Sequence, residues 1–380
     1  MRKIVYCIPL LYNSGGMERV LTEKVNYLVA TGNYDITIIT TDQEQKSIYF
    51  PIDSRIKVVN FDLNFCEHYN WPLVKKYFAH KRKLAQYKRK LESFLLENEI
   101  DICVSLCGKE IDFLTSLKDR SRKIAELHFS KKHRALFLQA RKQGLLWKWI
   151  GDFRSWQLKR ATSRLSNLVV LTQQDLNDWL KTNKNVISIP NPSPLSPERT
   201  SILEIKKVIT VGRLDAQKGY DYLIEAWEMV AKRYPEWTLD IYGSGELKNE
   251  LQKQIADSGL DKKVHLSGTT KNIEEVYMSS SIFVMSSRYE GLPMVLIEAM
   301  SCGLPLVSFD CECGPREVIQ NGKNGFLVPT FDIKLLADKL MLLMENVSLR
   351  KTMGSESKNM SSKYSVNEIM QHWMNLFDKE

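Results

Sequence analysis

Short β-branched runs alternate with helical patterns twice along this chain, and that alternation leaves few folds open. In the first half Ile4–Ile8, Ile36–Thr40, Ile102–Leu106, Lys123–Leu127 and Leu168–Leu171 read as buried strands, with a helical pattern starting near Met17 between the first two. A second series has strands at Val208–Val211, Leu239–Tyr242, Val264–Leu266, Ile282–Met285 and Leu306–Ser308. Its helices are Tyr220–Arg233, Leu247–Ala256, Pro293–Ser301 and Ile333–Met344. Strands that alternate with helices favour parallel sheets with right-handed crossovers. Between the two series, Ile189-Pro-Asn-Pro-Ser-Pro-Leu-Ser-Pro places four prolines where neither a helix nor a central strand can continue. The expected organisation is an N-terminal domain over 1–190, a linker over 191–206 and a second domain over 207–362. A C-terminal amphipathic helix over 363–380 carries Ile369, Trp373, Leu376 and Phe377 on one face and is expected to pack back toward the first domain. The fold class is α/β, with two doubly wound domains facing across a cleft. Ligands of such sheets bind outside the carboxyl ends of the strands.

The charge is unevenly spread. Residues 1–190 carry 32 Lys and Arg against 19 Asp and Glu, whereas the remainder carries 22 against 26. A basic half suits nucleic acid, an anionic membrane or a phosphorylated substrate. Met1-Arg-Lys followed by an apolar run imitates a secretory signal, but no small-residue cleavage site follows, so a first buried strand is the expectation. No stretch approaches the ~20 apolar residues of a membrane span. The seven cysteines are scattered, and Cys311 and Cys313 lack a second pair or nearby histidines to complete a metal site. Reduced thiols in a cytoplasmic protein are expected.

The most informative stretch is Ser286-Ser-Arg-Tyr-Glu-Gly-Leu-Pro-Met-Val-Leu-Ile-Glu-Ala-Met, directly after a predicted strand. Pro293 suits a helix start, and the N–H groups around Leu292–Val295 then form an anion site. Glu298 falls about 7–8 Å further along that helix. Its neighbours Val295, Leu296, Ile297, Ala299 and Met300 are apolar. A carboxylate there is either buried, and then needs partners such as a ribose diol, or lies on an exposed face. Glu290, just before the helix, is placed to accept hydrogen bonds from sugar hydroxyls. A second element, Val211-Gly-Arg-Leu-Asp-Ala-Gln-Lys-Gly, puts Arg213 and Lys218 on a strand-to-helix loop within reach of a diphosphate; the alternative is a solvated loop. A third, Tyr12-Asn-Ser-Gly-Gly-Met-Glu-Arg, offers Gly15 and Gly16 for close backbone approach or for a tight turn. In Ala125-Glu-Leu-His-Phe-Ser, His128 ends a strand, as a cleft residue or as a satisfied structural one. No Asp-x-Asp pair occurs, so the diphosphate charge is left to cations and helix N-termini.

Together these segments resemble family 4 retaining glycosyltransferases of the GT-B fold, over nearly the whole chain. The resemblance rests on Glu290 and Glu298 as a Glu-x(7)-Glu motif followed by Ala299 to Pro305, and on Gly212, Arg213, Lys218 and Gly219. Gly15, Gly16 and Glu18, and the closing strand from Asn324, match as well. It implies that Arg213 and Lys218 bind the donor diphosphate, Glu298 the ribose and Glu290 the transferred sugar. The amides of Gly291, Leu292, Met294 and Val295 would reach sugar and phosphate, with Gly15 and Gly16 approaching from the first domain and His128 near the sugar. Glu290, Arg213, Lys218 and His128 are the expected catalytic set, with no metal and no cofactor. The nearest likeness is to UDP-hexose and UDP-N-acetylhexosamine users of bacterial polysaccharide assembly, including lipopolysaccharide and capsule. The nucleotide-sugar is then a substrate, UDP-linked, and the acceptor a saccharide or a lipid-linked one. The loop Gly268-Thr-Thr-Lys-Asn leaves uridine and guanosine both open.

Two basic stretches interleave cations with aromatics. Lys75–Lys90 carries Tyr77, Phe78 and Tyr87. Lys131–Arg160 carries Phe137, Leu145, Leu146, Trp147, Trp149, Ile150 and Trp156. They suit an anionic bilayer surface, hence peripheral attachment to the inner face of the cytoplasmic membrane, or else an ordinary solvated helix face. A nucleic-acid-binding protein would share the charge but leaves Glu290, Glu298 and the donor loop unexplained, so no nucleic-acid partner is expected. A nicotinamide oxidoreductase predicts Gly-x-Gly-x-x-Gly where Asn13-Ser-Gly-Gly-Met-Glu stands. A sugar-nucleotide epimerase of the same fold, needing no acceptor, remains the alternative enzyme.

Overall fold

The structure, a computed structural model, describes residues 1–68, 71–131 and 145–379. Two compact units emerge: Met1–Pro190 with Met370–Glu380, and Asn191–Ile369.

The first unit is built on a seven-stranded, all-parallel sheet. Its strands are β1 (Arg2–Ile8), β2 (Tyr34–Thr40), β3 (Lys57–Asn60), β4 (Ile102–Ser105), β5 (Arg122–Leu127), β6 (Asn167–Val170) and β7 (Val186–Ser188), in the order β3-β2-β1-β4-β5-β6-β7. Ile4, Val5, Tyr6 and Cys7 of β1 are all fully buried, which is why the run is apolar throughout rather than alternating. The five strands read from sequence are present. The edge strands β3 and β7 escaped because β3 exposes most of its short Lys-Val-Val-Asn run and β7 is only three residues long.

The helix Leu73–Glu97 also went unassigned from sequence, since its lysines and arginines mask its period. It buries Tyr87, Leu91 and Leu95, spaced four apart, in the core beside Phe61 and Leu114. Nearer its start, Val74, Tyr77 and Phe78 remain exposed.

The last residues of the chain pack on this unit. Trp373 and Phe377 are buried, and Phe377 meets Tyr34 edge-on with ring centroids 6.1 Å apart. Arg122 donates to the carbonyls of Leu376 and Phe377, each at 3.2 Å, and Arg2 also donates to Phe377. Two guanidinium groups thus satisfy the orphan carbonyls at the end of the helix Val366–Asp378.

The second unit carries a six-stranded parallel sheet: β8 (Lys207–Val211), β9 (Thr238–Tyr242), β10 (Val264–Gly268), β11 (Ile282–Met285), β12 (Leu306–Phe309) and β13 (Gly325–Val328), ordered β10-β9-β8-β11-β12-β13. The order reverses between β8 and β11, so the loops that leave these two neighbouring strands define the switch point of a doubly wound sheet. The helices Tyr220–Arg233 and Ile333–Glu345 cover one face, burying Leu223, Trp227, Leu336 and Leu340. The proline-rich segment after Pro190 enters this unit, where Ser193 N–H donates to the Tyr364 carbonyl at 2.7 Å.

The terminal helix is held chiefly by its buried aromatics. Trp373→Ala should therefore cost about 3–5 kcal/mol, the range for large-to-small aromatic core changes. The urea midpoint of the first unit reads it directly, and a loss below about 1 kcal/mol would show that Trp373 does not seal the helix.

Candidate active site

In the second unit the loops leaving β8 and β11 are clasped together. The first runs Gly212-Arg-Leu-Asp-Ala-Gln-Lys-Gly219. Asp215 caps the short 3-10 turn Ala216–Lys218 through its carboxylate and the Gln217 amide, and Gly219 then turns left-handed at φ 61° before the helix Tyr220–Arg233. A Cβ on Gly219 would lie 2.2 Å from the Ser286 carbonyl oxygen, so only glycine lets the two loops approach this closely. Ser286 Oγ in turn donates to the Lys218 carbonyl at 2.9 Å. The Arg288 amide donates to the Gln217 carbonyl at 2.8 Å, and Gln217 Nε2 to the Tyr289 carbonyl at 3.0 Å.

Arg288 closes the clasp from outside. Its guanidinium binds both Asp221 oxygens, at 2.6 and 3.0 Å, donates to the Ala216 carbonyl, and lies 4.4 Å from the Tyr222 ring centre. A fork on a carboxylate backed by an aromatic face is a geometry lysine cannot reproduce.

This framework delivers Lys218 to Glu290. Lys218 Nζ donates to Glu290 Oε1 at 2.7 Å, and the two side chains are only 15% and 7% exposed. Gly212 makes room for the reach, because a Cβ there would fall 3.0 Å from Lys218 Cε and 2.8 Å from Tyr220 Oη. The Cys311 thiol lies in the same neighbourhood. Burial pushes its pKa up and the Glu290 charge adds to this, so it stays a thiol. Arg213 is different: 74% exposed, it reaches Asp215 at 3.1 Å and Gln217 at 3.3 Å along its own loop.

Glu290, Gly291 and Leu292 lead into the helix Met294–Ser301. Pro293 stands just before this helix rather than as its first residue. The amides of Met294 and Val295 belong to the first turn, which has no intrahelical carbonyl to accept them. Glu298 is buried and accepts from Tyr277 Oη at 2.8 Å, so it is not on an exposed face.

Gly15, Gly16 and His128 lie in the first unit. Gly15 is extended, at φ −75°, and precedes the helix Gly16–Ala30 without a left-handed turn. The Glu18 carboxylate folds onto it, 2.2 Å from where a Cβ would sit. A Cβ on Gly16 would meet no atom within 4 Å. A Cβ on Gly15 would meet only the far end of the flexible Glu18 side chain, so packing against described atoms requires a glycine at neither position. His128 follows β5, with Nε2 3.4 Å from Glu126 Oε1. Burial lowers its pKa, partly opposed by Glu126, so the ring is neutral near pH 7. Among the described residues no group of three or more His, Cys, Asp or Glu is placed to hold a metal.

A family model described as Glycosyl transferases group 1 matches residues 196–360. An uncharacterized glycosyltransferase of Haemophilus influenzae is 31% identical over 98% of this chain and 99% of its own. The chain belongs to this glycosyltransferase family. The amylovoran biosynthesis glycosyltransferase AmsD of Erwinia amylovora is 28% identical over the whole of both chains. The S. aureus TarM structure, solved with UDP present, covers both chains fully with a TM-score of 0.78 at 19% identity, and the fold is GT-B.

In this glycosyltransferase the sequence pattern singled out Lys218, Glu290 and Glu298 as candidates but did not show what holds them. Arg288 stands inside the most informative motif, yet its partner Asp221 lies 67 residues earlier. Tyr277, 21 residues before Glu298, was equally silent. No local spacing signals either pair.

The clasp predicts a difference between two glycines of similar backbone conformation. Gly259 has φ 66° and open space around its missing Cβ, whereas Gly219 has the Ser286 carbonyl in the way. Gly259→Ala should cost only the left-handed penalty of about 1–2 kcal/mol. Gly219→Ala should cost clearly more in thermal unfolding. Equal losses would show that the contact with Ser286 is not what requires the glycine.

Proposed function

We propose that this glycosyltransferase moves a hexose or N-acetylhexosamine, with retention at the anomeric carbon, from a UDP-sugar to a saccharide or lipid-linked acceptor in bacterial cell-surface polysaccharide synthesis. One observation carries the reading: Lys218 and Glu290, a nearly buried ion pair, are held at the switch point beside a helix N-terminus. A cation, a carboxylate and free amides at one strand end can grip phosphate and sugar together. The name of the Erwinia relative supports the polysaccharide setting, and the UDP in the TarM structure supports the nucleotide.

The residues divide the work by charge. Arg213 and Lys218 neutralise the diphosphate as it departs, the step at which negative charge grows. Arg213 is free to swing from its exposed contacts, while Lys218 exchanges part of its bond to Glu290 for phosphate oxygens. Glu290 then accepts from hydroxyls of the transferred sugar; it binds and is not the nucleophile. The amides of Gly291, Leu292, Met294 and Val295 complete the grip. Glu298 shares a ribose diol with Tyr277 already in place behind it. As the anomeric carbon becomes oxocarbenium-like, the acceptor hydroxyl attacks the face the diphosphate leaves, with a phosphate oxygen taking its proton. Gly15, Gly16 and His128 are assigned to the donor as well, the glycines because no described backbone atom crowds their missing side chains.

The same reading includes peripheral attachment to an anionic bilayer, favoured by side chains that remain uncovered. Val74, Tyr77 and Phe78 are exposed at the start of the helix Leu73–Glu97. Phe153 and Trp156 are exposed and stacked 5.9 Å apart on the helix Leu145–Thr162. Lys75 sits 4.5 Å from the Trp71 ring centre and Arg160 5.5 Å from that of Trp156. Cations beside exposed aromatics match the headgroup layer. Phe137 lies outside the described residues, as do the side chains of Leu145, Leu146, Trp147, Trp149 and Ile150. No described helix is long and apolar enough to cross a membrane.

Lys218→Ala and Glu290→Ala should each lower sugar transfer by about 10²-fold or more, the scale of lost transition-state electrostatics. Near-normal turnover of a UDP-sugar with acceptor in both variants would remove the site assignment. Flotation with vesicles containing anionic lipid should carry the protein upward at low salt and release it at high salt. Protein that stays at the bottom at low salt rules the bilayer out.

A further inference from the structure

The first unit buries an ion pair that the donor site, as described, does not use. Lys24, from the helix Gly16–Ala30, donates to Glu126 Oε2 at 2.6 Å, and both side chains are 1% exposed. Lys24 Nζ also lies 3.8 Å from the centre of the Trp373 ring, so the terminal helix closes over the ammonium. The other carboxylate oxygen, Glu126 Oε1, faces His128 Nε2 at 3.4 Å, and neither atom has a hydrogen-bond partner among the described residues. The Tyr6 hydroxyl, on β1, is likewise buried without a hydrogen-bond partner among the described residues, and it feels the Glu126 charge. Burying two charges is costly, and a pair of well-packed apolar residues would often serve stability as well. The arrangement therefore calls for a reason beyond packing.

We propose that Glu126 is a positioning residue for His128: it fixes the neutral imidazole as the Nε2–H tautomer, leaving Nδ1 as an acceptor for a hydroxyl of the substrate. Lys24 makes this possible. A carboxylate with no other partner would draw a second proton onto the ring, and a doubly protonated ring has no acceptor. With Lys24 on Oε2, Oε1 keeps enough negative character to orient an N–H but not to hold an imidazolium. A modest ring rotation aligns the 3.4 Å approach into a hydrogen bond, as unliganded sites commonly need.

The titration directions agree with this geometry. Burial pulls Lys24 below its usual range, with Glu126 opposing. Burial pushes the Glu126 carboxyl up, but Lys24 and His128 outweigh it and hold it low. Burial lowers His128 as well; Glu126 opposes, and the Lys24 charge lowers it further. The cluster thus has one ammonium, one carboxylate and a neutral ring, with the Tyr6 phenol held protonated by burial and by Glu126. The chemical role of Nδ1 rests on the donor reading above, whereas the tautomer does not.

The test is long-range 15N–1H correlation on histidine-labelled full-length protein. His128 is assigned by subtraction in His128→Asn or by retaining it as the only histidine. In the wild type at pH 7 the proton should sit on Nε2. Lys24→Met with Glu126→Leu removes both charges together, so no unpaired charge is left to unfold the unit; there the tautomer preference should vanish and kcat fall about tenfold or more, within the range of a lost acid–base contact. Lys24→Met with Glu126→Gln keeps an acceptor oxygen and should restore the Nε2–H form. A proton on Nδ1 or an imidazolium in the wild type overturns the proposal, as does an unchanged tautomer in the Leu variant. If the tautomer behaves as stated while His128→Asn retains full transfer, the assignment of His128 to the donor fails and the positioning by Glu126 stands.

Discussion

The clasp between the loop after β8 and the loop after β11 is the constraint on which the candidate site depends. Two parallel strands side by side at the switch point leave their loops adjacent, but adjacency alone does not fix a lysine against a glutamate. The fixing comes from a short chain of backbone bonds, Ser286 to Lys218 and Arg288 to Gln217, made possible by a glycine whose side chain would strike a carbonyl. Arg288 adds a bidentate hold on Asp221 at the start of the next helix. The site residues therefore inherit the rigidity of the sheet through bonds that carry no chemistry of their own.

That division explains why the fold was readable from sequence and the site only partly so. Buried parallel strands favour apolar, β-branched runs, and ten of the thirteen described strands were legible from such runs or from short apolar alternations. Strand β3 was not, because a mostly exposed surface leaves it no apolar run to display. Strand β13 was visible only through the family likeness that begins at Asn324. For the site, Lys218, Glu290 and Glu298 were legible because their positions relative to strand ends and helix starts are local facts. Arg288–Asp221 and Tyr277–Glu298 were not, since each joins residues brought together only by the sheet. Glu298 marks the boundary: its apolar neighbours demanded a partner, but nothing in the sequence said which.

Lys218 and Arg213 illustrate how one charge serves two ends. Lys218 is nearly buried and already paired with Glu290, so its position is fixed within the second unit. Arg213 is exposed and loosely tied, so it adapts. In the diphosphate role proposed for them, a fixed charge would lower the reorganisation needed as charge develops, and a mobile fork would follow the leaving group as it moves.

The first unit solves a related problem in another way. Its buried Lys24–Glu126 pair is not a surface for phosphate; it is sealed by the terminal helix and turned inward. The last helix of the chain is therefore more than a tether. By placing Trp373 against Lys24 it dehydrates the ammonium, which strengthens the hold of Lys24 on one carboxylate oxygen and tempers the pull of the other on His128. A residue near the C-terminus can in this way govern the hydrogen-bonding character of a histidine some 250 residues earlier, through three consecutive contacts of 3.8, 2.6 and 3.4 Å.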